Sequence, residues 1–133
     1  MIEISTDKNR LNINVIHEFL TETYWAKGRT KDEVKTSIEH CFCFGVYIDN
    51  KQIGFARIAT DYVVFAYLMD VFILPEYKGK GYSKQLMKRI NEEPILQSCK
   101  VWMLKTSDAH KLYQQFGYTE LKHPEKVMER LLK

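Results

Sequence analysis

No apolar run in this chain approaches the roughly 18 residues that a membrane span needs, and its start lacks the apolar stretch of a secretion signal. A membrane partner is therefore not expected, and a cytoplasmic location is. Cysteine is scarce: Cys41, Cys43 and Cys99 are the only three. They cannot all pair, and their spacing matches no zinc pattern, so they read as reduced core residues with no metal. Charge of one sign is scarce too. A net charge of +3 with scattered lysines argues against nucleic acid as a main partner, yet leaves room for a local phosphate site. Internal repeats and low-complexity segments are absent. What remains is 133 residues, 45% of them apolar. That suits one domain, residues 1–133, with a core that folds without staples.

The stretch from Met69 to Ile90, MDVFILPEYKGKGYSKQLMKRI, organises the rest. Met69 to Leu74 is apolar and β-rich, which reads as a strand buried on both faces and ended by Pro75. After the Lys78–Ser83 turn, Tyr82, Leu86, Met87 and Ile90 recur at helical spacing, with Lys84, Lys88 and Glu92 opposite. Strand, glycine turn and helix in that order suit an anion. A helix start leaves N–H groups unpaired, glycines let the backbone approach, and lysines add charge. Neither the dinucleotide fingerprint nor the nucleoside triphosphate loop fits: Lys84 stands where the third glycine would be, and GxxxxGK[ST] has no match.

Along the chain, Ile2 to Ser5 reads as an edge strand, followed by a helix from near Asn12 on the Val15, Ile16, Phe19 and Leu20 face. Tyr24 and Trp25 sit in the loop after it, either as core packing or as binding residues. Thr30 and Glu33 form a capping box that opens a second helix. Phe42 to Ile48 and Gln52 to Ala59 pair through a turn at Asp49–Lys51, and Val63 to Leu74 follows as the third strand of an antiparallel meander. Pro94 closes the next helix. Cys99 to Lys105 reads as a strand parallel to the central one, because a helix crosses between them. Thr106 or Ser107 can cap a helix with Ala109, Leu112, Tyr113 and Phe116 on its buried face, stopped by Gly117. Tyr118 to Leu121 and Val127 to Leu132 suit two last strands, although VMERLL also suits a short helix.

Two segments resemble motifs of the GNAT superfamily of N-acetyltransferases. Lys78, Gly79, Lys80, Gly81, Tyr82 and Ser83 align with [Q/R]xxGx[G/A], where Lys78 replaces the Gln or Arg and Ser83 the final Gly or Ala. Ala109, Leu112, Tyr113, Phe116, Gly117 and Tyr118 resemble the family's later [A]xxLYxxxGF-like segment. The resemblance covers nearly the whole chain. It implies an α/β (α+β) fold with a mixed, mostly antiparallel central sheet of about six or seven strands and helices on both faces. It also implies acetyl-coenzyme A as co-substrate, with the pantetheine arm against Phe72, Ile73 and Leu74 and the pyrophosphate on Lys78–Ser83. A primary amine, small-molecule or peptide, would be the acceptor, and the oligomeric state is open to a homodimer.

The implied chemistry is direct attack of a neutral amine on the thioester carbonyl. Backbone N–H polarisation and a proton donor for the leaving sulfur would help. The resemblance gives Tyr113 the donor role, and core packing beside Ala109 and Phe116 is its alternative. Asp70, Asp61, Glu76, His110 and His40 are candidate bases. A thiol nucleophile at Cys43 lacks a paired base. Asp70 interrupts an apolar strand, where a bare charge is costly. It either pairs with Arg57 or points into the cleft toward a cationic amine walled by Tyr24, Trp25 and, beside Asp61, Tyr62. A non-catalytic acyl-coenzyme A sensor with the same fold is the alternative function.

Overall fold

The computed structural model describes residues 1–132. Its order begins with β1 (Glu3–Ser5), α1 (Ile13–Leu20), α2 (Lys31–His40), β2 (Phe42–Ile48), β3 (Lys51–Thr60) and β4 (Phe65–Ile73). It continues with α3 (Tyr82–Asn91), β5 (Val101–Leu104) and α4 (His110–Gln114). The start signals act as expected. The Asn12 side chain accepts from the Val15 N–H at the head of α1, and Thr30 and Glu33 close a reciprocal capping box on α2. Asp49 and Asn50 take positive φ, 48° and 65°, in the two-residue turn between β2 and β3.

The five strands form one sheet in sequence order, antiparallel from β1 to β4 and parallel between β4 and β5. Helices cover both faces. On one side Ile16 and Leu20 of α1 and Val34 and Ile38 of α2 pack with Phe55 and Phe72. On the other, Leu86, Met87 and Ile90 of α3 meet Phe44, Val46, Ala56, Ile58 and Leu68.

The expected final strands are a correction. Among the described residues the sheet has five strands, and neither Tyr118–Leu121 nor Val127–Leu132 is one of them. Pro124–Lys126 makes a single 3-10 turn, and Met128, Leu131 and Leu132 stand exposed. Their β-rich composition suggests strands, but a strand exists only through a neighbour's ladder, and this segment has none among the described residues. β5 and α4 are also shorter than the sequence pattern suggests.

One irregularity shapes the sheet. Phe55 pairs with Phe72 and Arg57 with Met69, so Asp70 and Val71 together face the single residue Ala56. The extra residue is accommodated at Asp70, whose φ of 55° is left-handed. A one-residue insertion reverses which face later side chains point to. Ala66 and Leu68 therefore face α3, while Phe72 faces α1 and stacks on Phe19 with ring centroids 4.1 Å apart. Phe72→Ala should remove that packing and cost about 3–5 kcal/mol. Urea unfolding should show a correspondingly lower midpoint, and an unshifted midpoint would contradict this role.

Candidate active site

The bulge coincides with the end of the β4–β5 pairing. The ladder runs from Phe65–Val101 to Leu68–Leu104, while β4 continues to Ile73. Beyond Leu68 the backbone edge of β4 on that side has no strand beside it among the described residues. A cavity of about 510 Å³ lies at this divergence, lined among others by Tyr24, Trp25, Arg29, Tyr67, Asp70 and Tyr113. Aromatic and aliphatic side chains make up its walls together with several polar and charged groups, a mix that suits a small polar ligand.

Asp70 is buried at its floor, and both carboxylate oxygens are occupied. Oδ2 accepts from Arg57 Nε at 2.8 Å and from Arg29 Nη1 at 2.6 Å. Oδ1 accepts from the Trp25 indole N–H at 3.0 Å. Of the two sequence accounts of Asp70, the ion pair with Arg57 is therefore the one the geometry forms, with Arg29 as an unforeseen second cation. The same contacts pull the α1–α2 loop over the cleft. Ser107, beyond β5, donates to the Tyr24 hydroxyl at 2.6 Å and ties that loop to the opposite wall.

Tyr113, on α4, lines this cavity and also a second one of about 520 Å³ on the outer side of β5. Its ring meets Tyr118 edge-on, and its hydroxyl makes no hydrogen bond to a described residue. Burial, with smaller contributions from Asp108 and Tyr24, raises its pKa to about 12. The phenol therefore stays protonated throughout the neutral range.

The glycine turn follows β4 in the chain, after the 3-10 turn Pro75–Tyr77, and leads directly into α3. Gly79 and Gly81 both take φ of 81°, and a Cβ at either would meet nothing within 4 Å. Gly81 is the N-cap of α3 and offers no side chain, so the N–H groups of Tyr82, Ser83 and Lys84 carry no side-chain cap. Lys78, Lys80 and Lys84 are exposed around it. Open space, uncapped donors and cations together fit a pyrophosphate.

Asp61 and Tyr62 do not join this cluster. They turn the chain between β3 and β4, at the opposite end of the β4–β5 ladder. There Asp61 Oδ1 accepts from the N–H groups of Val63, Val64 and Phe65, which hold its carboxyl below its ordinary pKa. Tyr62 packs edge-on against Phe42. Cys43 is buried and its thiol is pushed up to about 12 by that burial, while His40 lies exposed beside Glu39. A thiolate nucleophile there has no support. Sequence reasoning missed Arg29, Tyr67, Ser107 and Asp108. Gly28 before Arg29 and the capping box after it mark a loop end, but nothing in that pattern points an arginine at Asp70.

The family model for the acetyltransferase (GNAT) domain matches residues 39–120. A Gibberella zeae protein provisionally named an acetyltransferase is 29% identical, across 86% of this chain and 77% of its own length. A solved structure from Xanthomonas campestris pv. campestris, provisionally assigned to GNAT family acetyltransferases, superposes with a TM-score of 0.96. It is 44% identical and covers 99% of this chain and 94% of that one. AAC(6')-Iy, solved with the bisubstrate analog CoA-S-monomethyl-acetylneamine, shares the fold at a TM-score of 0.71 and 20% identity, across 100% of this chain and 99% of that one. The chain belongs to the GNAT acetyltransferase family.

Asp70→Asn keeps shape and tolerates a left-handed φ while removing the charge. Arg57 then loses its counter-ion in a buried setting, and stability should fall by about 3 kcal/mol. Thermal or urea unfolding checks this, and an unchanged stability would return Asp70 to the role of a free cleft carboxylate.

Proposed function

We propose that the chain is an acetyl-coenzyme A-dependent N-acetyltransferase that acetylates a primary amine by direct transfer. The observation that carries this is the uncapped start of α3 behind Gly79 and Gly81, on the helix that follows the β4 strand whose cleft also holds the buried Tyr113. The thioester supplies an activated acetyl group. Lys78 to Ser83 bind its pyrophosphate. In the Phe72–Leu74 stretch of β4 the Leu74 N–H is taken by Ile53 of β3, and Ile73 offers its backbone groups on the open edge to the pantetheine amides, as a sheet edge does to an added strand. The analog complex of AAC(6')-Iy supports a coenzyme A-shaped ligand on this fold.

Tyr24 and Trp25 wall the acceptor side. Asp70 acts through others: it fixes the Trp25 indole and Arg29 rather than taking a proton itself, since both its oxygens are used. Tyr113 donates a hydrogen bond to sulfur as charge grows there. At about 12 its phenol is a weaker acid than an ordinary thiol of about 8.5, so it stabilises the charge and the acceptor's own proton completes the free thiol. The products are an N-acetyl amine and coenzyme A, with no covalent enzyme adduct.

Two variants test the assignment. Ser83→Glu places a carboxylate in the first turn of α3, which favours the helix but repels a pyrophosphate. The melting temperature without ligand should hold or rise, and the shift given by acetyl-coenzyme A should vanish. A full shift would place the phosphate site elsewhere. Tyr113→Phe should lower turnover about 10²-fold with little change in cofactor affinity, and Tyr113 should add no descending limb to the pH profile below about 12. Free-thiol release from acetyl-coenzyme A with a panel of amines is the direct assay. Binding without any release would favour the non-catalytic sensor.

A further inference from the structure

The charges around Asp70 do not balance. Arg57 pairs with it beneath the cleft floor, its side chain only 11% exposed. Arg57 alone neutralises the carboxylate, so Arg29 is a second cation on one anion, and it keeps 22% side-chain exposure on the cleft wall. Only its Nη1 is committed to a side chain, on Asp70, which leaves most of a five-donor fork uncommitted among the described residues. Its position is fixed in advance. Its backbone N–H donates to Ala26, the Gly28 N–H to Thr21, and the neighbouring Trp25 is held by the other Asp70 oxygen. An immobilised guanidinium with free donors is built for a planar or tetrahedral anion, which it can take through two parallel bonds.

The other charges lining the cleft sharpen the reading. Lys105 is paired with Glu129. Asp108 stands on the wall that carries Tyr113, close enough to raise that phenol's pKa, and no hydrogen bond engages its carboxylate among the described residues. The cleft thus presents a cation, Arg29, on the loop that carries Trp25 and an anion, Asp108, near Tyr113, with Tyr24, Trp25 and Tyr67 also on its lining.

We propose that the acceptor is a small zwitterionic amine whose anionic group, carboxylate or phosphate, is gripped by Arg29 while its amino end is drawn past Asp108 to the reaction centre. This rests on the acetyltransferase reading above and names the substrate class for the same cleft. Asp108 attracts the protonated amine, and the amine loses that proton to water before attacking. Arg29 makes the anion part of recognition, so an amine without one forfeits a charge-assisted contact and leaves the guanidinium unmatched.

The test compares matched amines in the thiol-release assay: phenylalanine against phenethylamine, and O-phosphoethanolamine against ethanolamine. The expected result is that at least one anionic member exceeds its partner in kcat/KM by about 10-fold or more. The favoured pair tells a carboxylate from a phosphate. Arg29→Met should collapse that ratio toward one, chiefly through the KM of the anionic member, and Arg29→Lys should recover part of it. Equal use of both members by the native protein overturns the proposal. So does an Arg29→Met variant that slows both members equally, because that marks a purely structural arginine. If neither pair supports release while amines of the wider panel that carry no anion do, the proposal is overturned; release with no amine of the whole panel, under conditions where acetyl-coenzyme A binds, instead overturns the acetyltransferase reading on which this one rests.

Discussion

The structure depends on one extra residue in β4 and on the charges that hold it. Asp70 adopts a left-handed backbone in the middle of a sheet, a conformation that a non-glycine residue takes at some cost. Arg57, Arg29 and Trp25 converge on its carboxylate and offset that cost. The bulge bends β4 away from β5, turns Phe72 onto α1, and leaves the β4 edge bare just where the cleft opens. Site and core share a single cause.

That arrangement divides the labour of the candidate site. On the proposed reading, backbone would do the anion work at the start of α3, where geometry rather than side-chain identity matters, so that Lys78 and Ser83 could depart from the family pattern without closing the site. Side chains would do the acceptor work in the cleft, where a tied loop carries Tyr24, Trp25 and Arg29. Tyr113 stands where α4 closes the cleft, protonated because burial disfavours its anion.

Much of this was legible in the sequence because local rules dominate there. The capping box at Thr30 and Glu33, the turn at Asp49 and Asn50, the glycines before α3 and the crossover to a parallel β5 each follow from residues close in the chain. Asp70 was legible as an anomaly, since a charge in an apolar strand demands a partner, and Arg57 was within reach on the preceding strand. Arg29 was not, because its contact spans 41 residues and no periodicity predicts it. Asp61 and Tyr62, which the sequence suggested as companions of Trp25, sit at the turn before β4, while Trp25 is held by Asp70 further along that strand, and no local pattern sets that distance. The tail was misread because β-rich composition cannot supply a ladder partner.

The central claim is that the bare β4 edge and the start of α3 form one coenzyme A site. Hydrogen–deuterium exchange with and without coenzyme A tests it most directly. The account predicts slowed exchange at the amide of Ile73, which faces the bare edge, and at those of Tyr82 to Lys84 together, with the Asp61–Phe65 turn unaffected. Binding without protection of either segment, or protection of only one, would contradict it.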